Sequence, residues 1–151
     1  MARRLELDVS YASRSPWVPS ARLLRQWAEA ALTPLAAPVA LSVRIVGKAR
    51  SRSLNSRYRQ KHQPTNVLSF AGAGIAPDGR TFLGELVICA PLVAIEARAQ
   101  DKTLRAHWAH LTVHGVLHLK GFDHERASEA RKMAARETQI LDRLGVSDPY
   151  R

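Results

Sequence analysis

A chain of 151 residues, 46% of them hydrophobic, suits one compact domain with ample material for a core. Its single cysteine excludes an internal disulfide and any thiolate-rich structural zinc site, and fits a reducing compartment. The net charge of +10 is compatible with a polyanionic partner, although a basic balance by itself also serves solubility, and no run of about 20 apolar residues supports secretion or membrane spanning.

Leu5, Leu7, Val9 and Tyr11 alternate, which predicts a half-buried strand. Ser20 then caps a predicted helix carrying Leu23, Leu24, Trp27 and Ala31 on one side, with Pro34 and Pro38 beyond its end. Val39, Leu41, Val43 and Ile45 alternate again and predict a second strand. From Lys48 to Arg59 the residues favour a short basic helix, with Leu54 and Tyr58 four apart as its buried contact and Pro64 as its stop. Two apolar runs, Asn66 to Ala71 and Leu83 to Cys89, suit central strands joined by the glycine-rich turn AGAGIAPDGR. Cys89 itself reads as a small core residue.

The second half is predicted to be helical. Pro91 begins a helix that runs to about Gln100, Thr103 to Leu119 forms another, and Glu125 to Leu144 a third. On the last, Ala130, Met133, Glu137, Ile140 and Leu144 recur at helical spacing and, Glu137 apart, read as a core face. On the middle one, Trp108, Leu111, Val113 and Leu117 do the packing. With no repeat, low-complexity tract or linker, the expected fold class is α+β: a single domain over residues 1–151, with a four-stranded mixed sheet flanked by about five helices and the Thr103 helix across one face. The C-terminal residues from Asp148 to Arg151 are expected to fray.

That helix carries the most informative motif, His114-x-x-x-His118-x-x-Gly121-x-x-His124, within HGVLHLKGFDH. Residues four apart on a helix lie on one face about 5–6 Å from each other, so His114 and His118 can aim two imidazoles at one ion. Gly121 suits the left-handed residue that ends a helix and reverses the chain, after which His124 can return with a third nitrogen. Three imidazoles leave the fourth position of a tetrahedral zinc to water, the catalytic pattern rather than the structural one. A rival set of His110, His114 and His118 fails on span, because His110 and His118 lie about 12 Å apart along a helix axis. His107, His110 and His62 therefore read as satisfied, flanking or exposed side chains. The spacing is also that of H-E-x-x-H-x-x-G-x-x-H zinc proteases, but Gly115 stands where their general-base glutamate would be, and peptide hydrolysis loses its proton acceptor.

HGVLHLKGFDH, together with SLNSRYRQKHQPTNVLSF from Ser53 to Phe70 and LGELVIC from Leu83 to Cys89, resembles the YbeY family of bacterial metal-dependent endoribonucleases, and the resemblance runs from about Val39 to Leu144. It implies that His114, His118 and His124 hold one Zn2+ per chain, and that Arg59, in a tyrosine-arginine motif, joins His114 in RNA cleavage. It implies a substrate too: ribosomal RNA, cut with a preference for single strands at the maturing 3′ end of the small-subunit RNA. Ribosomal particles would be the partners, with ribosome quality control as a further role and the cytoplasm as location. The sequence departs from the family in having Asn66 where Asp is usual and Glu85 where Asp is frequent; Asn66 removes a charge and Glu85 keeps it on a longer arm.

Charge distribution adds an independent reason for RNA. Between Glu29 and Asp78 there is no acidic residue, yet Arg44, Lys48, Arg50, Arg52, Arg57, Arg59 and Lys61 all fall there. Cations without acids to neutralise them attract phosphates and bind in a salt-dependent way, so Lys48, Arg50, Arg52, Arg57, Arg59 and Lys61 are the candidate RNA-binding residues. Arg59 also has the fork geometry that matches a phosphate, whether it acts in cleavage or as one more phosphate contact. Two readings of Glu85 stand: a carboxylate that orients a metal-bound imidazole or takes a proton, and a partner for an arginine. Asp123 reads as a cap for the following helix. Two other function classes are an RNA-binding ribosome-assembly protein with a structural zinc, and a metallopeptidase whose base comes from elsewhere.

Overall fold

The computed structural model describes residues 5–15, 17–35, 37–122 and 126–146. Strand β1 (Leu5–Tyr11) leads to α1 (Ala21–Leu32), β2 (Val39–Val46), α2 (Lys48–Arg59), the hairpin of β3 (Val67–Ile75) and β4 (Thr81–Cys89), and then α3 (Ala90–Ala99), α4 (Leu104–Leu119) and α5 (Ala127–Arg143). The sheet order is β1-β2-β4-β3. β1, β2 and β4 run parallel, and β3 returns antiparallel along β4 as an edge strand, giving the mixed sheet the sequence predicts.

Two helices, α1 and α4, start at a side-chain cap. Ser20 accepts the Leu23 amide at 3.2 Å, and Thr103 accepts the Ala106 amide at 3.1 Å, satisfying donors that a helix N-terminus leaves open. The main core lies between one sheet face, with Leu5, Leu41, Val43, Ile45, Leu86 and Ile88, and helices α1 and α4. Helix α4 is buried almost all round, as expected of a central element packed by neighbours on several sides. The other sheet face carries a smaller group, Val46, Leu68 and Val87, which α2 covers through Leu54.

Three local expectations are corrected. Helix α2 has the bounds expected for it, but what ends it is Gln60, in a left-handed conformation (φ 58°), and not Pro64. Its buried side chains are the polar Ser51 and Asn55, because that face ties down the following loop: Ser51 Oγ bonds the Thr65 backbone at 2.9 Å and Asn55 Nδ2 donates to the Gln63 carbonyl at 2.7 Å. Tyr58 is 57% exposed instead of buried. The glycine-rich segment, read as a turn, extends β3 to Ile75, since small residues on an edge strand still pair through their backbones. Cys89 is buried as expected, and burial pushes its thiol up, away from reactivity. The expectations for Asp123 and for Asp148 to Arg151 lie outside the described residues.

Candidate metal centre and its cleft

Helix α4 places His110, His114 and His118 on successive turns of one face. What fixes their rings comes from elsewhere. Glu137 of α5 is fully buried, and its carboxylate accepts from His114 Nδ1 through Oε1 and from His110 Nε2 through Oε2, the latter at 3.2 Å. His118 Nδ1 donates to the Phe122 carbonyl at 3.0 Å. A carbonyl oxygen only accepts, so a neutral His118 in this contact carries its proton on Nδ1 and its lone pair on Nε2; an ionised Glu137 selects the same tautomer of a neutral His114. Histidines that bind a metal commonly give their other N–H to a carboxylate or carbonyl in this way.

The Phe122 carbonyl reaches His118 because of the helix end. The Gly121 amide donates to the His118 carbonyl and the Phe122 amide to the Leu117 carbonyl, both at 3.1 Å, which is a Schellman closure with Gly121 at φ 104°. The reversal read from Gly121 is therefore present, and it supplies an acceptor, the Phe122 carbonyl, that no motif announces. His124 lies outside the described residues.

The imidazoles of His114 and His118 stand nearly parallel, with ring centroids 6.5 Å apart and 12° between planes. Both line a cleft of about 480 Å³ together with Tyr58, Arg59, Asn66 and the edge of β3 from Val67 to Phe70. Arg59 thus meets the two histidines across one hollow, although 55 residues separate it from His114 (114 minus 59). Lys48, Arg50, Arg52, Arg57 and Lys61 are exposed along α2 and just past its end, and none of them lines this cleft.

A second grouping is also available. Ligand atoms of His110, His114 and Glu137 lie within 4.8 Å of one another, and by donor type these residues could hold a metal ion. The two Glu137 oxygens already receive the ring nitrogens of both histidines, and His110 and Glu137 are 14% and 0% exposed. The buried group therefore acts as an anchor behind the open side presented by His114 and His118.

For Glu85 the arginine-partner reading holds and the imidazole-orienting one does not. Glu85 forms a two-point contact with Arg44, at 2.6 and 3.2 Å, instead of orienting an imidazole. Leu86 is the residue of β4 that approaches Gly115 of α4, and neighbouring strand residues point to opposite faces, so Glu85 looks away from the histidine helix. Glu137 takes the role expected of it.

Asn66 has its own partners. Its Nδ2 donates to both oxygens of Glu96, at 3.1 and 3.3 Å, and its Oδ1 accepts from the Val67 amide at 2.6 Å, while the buried His107 bonds Glu96 through Nε2 at 2.8 Å. Burial raises the Glu96 pKa, but the hydrogen bonds from His107 and Asn66 outweigh it and leave the carboxyl below its usual value. A depressed acid stabilises the fold above its unfolded pKa and loses that contribution as pH falls through the folded one. Asn66→Asp would set a second carboxylate against Glu96 and force the pair to share a proton. Its folded pKa would then be raised, so the variant is expected to lose stability against wild type as pH rises from about 4 to 8, by about 1.4 kcal/mol per unit of upward shift. Parallel pH-dependent melting curves for the two proteins would refute this account.

A sequence model described as endoribonuclease YbeY matches residues 15–145. The chain belongs to the endoribonuclease YbeY family. Two curated relatives named endoribonuclease YbeY, from Stenotrophomonas maltophilia strains R551-3 and K279a, are each 49% identical to it over 152 residues, covering 97% of this chain and 94% of the relative. The solution structure of a Thermotoga maritima protein matches with a TM-score of 0.59 at 22% identity, over 96% of this chain and 99% of that one, and attests the fold alone. As a member of the YbeY family the chain is an endoribonuclease, an RNA-cleaving hydrolase. The resemblance carried by HGVLHLKGFDH is thus family membership. No described helix is long and apolar enough to cross a membrane.

Proposed function

We propose that residues 1–151 act as one domain that cleaves single-stranded segments of ribosomal RNA in the cytoplasm, with one Zn2+ held by His114, His118 and His124. The observation that carries this reading is that His114 and His118, their Nδ1 atoms held by Glu137 and Phe122, line one cleft with Arg59. Donor chemistry fits the ion: neutral imidazoles in a fixed tautomer suit zinc, and a third from His124 leaves one position open. When bound, the ion supplies Lewis acidity toward a phosphoryl oxygen and lowers the pKa of a water.

The chain's own residues do the rest. Arg59 offers a planar fork to a phosphate and offsets negative charge that builds on it during attack. Glu137 holds the His114 ring against rotation. The exposed cations of α2, with Lys61, draw the RNA backbone toward the cleft. Small-subunit ribosomal particles, and the 3′ end of their RNA, are the expected setting, as is a role in ribosome quality control; both rest on family resemblance.

Two variants test this. His114→Ala is expected to lose bound zinc and RNA cleavage together, whereas Arg59→Ala keeps its zinc and loses cleavage by about 10²–10³-fold, the size seen when one charge-stabilising donor is removed. Metal analysis and cleavage of a structured RNA, with and without chelator, read both. Wild-type activity in both variants would assign the cutting to another site.

The His110, His114 and Glu137 group, with its carboxylate buried and its histidines half-buried, favours a second reading, an RNA-binding assembly protein with a structural ion. It predicts the opposite metal content: His110→Ala loses the ion and His118→Ala retains it. A peptidase is disfavoured, because Gly115 faces Leu86 of β4 instead of the cleft.

A further inference from the structure

We propose that Tyr58 is a stacking platform for one unpaired nucleobase, placed beside the phosphate that Arg59 engages; this deepens the endoribonuclease reading and rests on it. Helical spacing puts Tyr58 four residues after Leu54, where an aromatic would ordinarily be buried, yet it is 57% exposed. The other large exposed apolar side chains, Trp17, Ile75, Phe82 and Ile95, lie away from the cleft, whereas Tyr58 lines it with Arg59, His114 and His118.

The ring is also held. Phe70 meets it edge-on, with centroids 5.2 Å apart at 71°, and Phe70 in turn packs on the Val46, Leu68 and Val87 group. The Arg57 guanidinium carbon is 5.6 Å from the Tyr58 centroid. A braced aromatic that leaves more than half its surface in water, between two exposed arginines, matches what a single-stranded nucleic acid needs: a flat face for a base and cations for the phosphates on either side. No acidic side chain lines the cleft among the described residues, which favours a polyanion over an acid-seeking protein partner.

The selectivity follows from geometry. A base inside a duplex already has both faces stacked, so only an unpaired base can lie on Tyr58. Stacking accepts any base, so this site would favour strandedness over sequence.

The test measures binding of zinc-loaded protein to a fluorescent, uncleavable 2′-O-methyl oligonucleotide, single-stranded and as a duplex, over a range of salt. Tyr58→Leu is expected to weaken single-strand binding about tenfold while leaving duplex binding and the salt slope intact, since stacking releases no counterions. Tyr58→Phe restores most of the lost affinity. Arg57→Ala does the reverse, lowering the slope by about 0.7 for single strands. A Tyr58→Trp variant gives a direct readout: its fluorescence is quenched by an oligonucleotide with bases and not by an abasic one of equal charge. Unchanged single-strand affinity in Tyr58→Leu, equal loss for both strand states, or no quenching each overturns the platform. If wild type cuts RNA while those results appear, the enzyme reading survives and Tyr58 belongs to a protein-binding surface. If wild type neither binds nor cuts RNA, both readings fall.

Discussion

Glu137→Ala is expected to lower zinc affinity by 10- to 100-fold and to destabilise the protein by about 1–3 kcal/mol, although the residue never touches solvent. The affinity loss comes from freeing the His114 ring, whose Nδ1 is held by Glu137 Oε1. Without that acceptor the imidazole rotates and exchanges tautomers, and each wrong state must be removed before the ion binds. The stability loss comes from the same deletion, which takes an acceptor from His110 Nε2 and His114 Nδ1 in a part-buried setting. Glu137→Gln separates the two effects. The amide keeps the volume and can accept from only one ring, so its loss of zinc affinity is expected to be the smaller of the two variants. Calorimetric zinc titration and melting with and without zinc read both quantities, because an ion that binds only the folded state raises the melting temperature. Wild-type zinc affinity in Glu137→Ala would show that the His114 ring is fixed by something else.

Gly115→Glu would complete the H-E-x-x-H pattern of the zinc proteases, and it is expected to destabilise the fold severely rather than create a peptidase. A Cβ at this position would lie 2.8 Å from Leu86 Cδ2 and 3.2 Å from Cδ1, and Leu86 is fully buried in the contact between α4 and β4. Overpacking of that kind costs about 1–3 kcal/mol, and a carboxylate carried into an apolar contact adds several more. The total exceeds about 4 kcal/mol, a large share of the 5–15 kcal/mol that holds an ordinary domain together. Gly115→Ala meets the same wall with only a methyl group, and gains roughly 1 kcal/mol of helix propensity against it, so its net loss is expected to be about 0–2 kcal/mol, read as a denaturant midpoint at or moderately below wild type. A soluble Gly115→Glu protein with a wild-type midpoint would mean that the helix can draw back from the sheet at little cost.

Both predictions turn on features of unequal visibility. The strands and helices follow from period-2 and period-3.6 patterns, and the element types expected along the chain are those found, with α2 bounded as read. Gly121 was legible because a left-handed helix end has few residues that suit it. Gly115 was legible only as the lack of a glutamate. That its hydrogen makes room for Leu86, 29 residues earlier (115 minus 86), depends on which helix face meets the sheet.

Glu137 was visible as a polar residue interrupting an apolar stripe, which is a real signal, but its partners lie 23 and 27 residues away on another helix. Glu85 was open to two readings for the opposite reason: its type suits either an imidazole or an arginine, and only the place of β4 in the sheet turns it to the far face and to Arg44. Tyr58 misled because the buried face of α2 serves the loop at Gln63 and Thr65 through Ser51 and Asn55, which leaves the aromatic on the open side.

By itself the sequence determined the elements, the spacing of the histidines, the reversal at Gly121, the acid-free basic stretch and, through its motifs, the family. Only the tertiary structure decided that Glu137 anchors His110 and His114, that Glu85 pairs with Arg44, that Asn66 and His107 share Glu96, and that Arg59 and Tyr58 face His114 and His118. The physical reason is range. Periodicity and capping act over a few residues and fix which side of an element is apolar, whereas the partner of a polar group is set by which elements the packed core brings alongside.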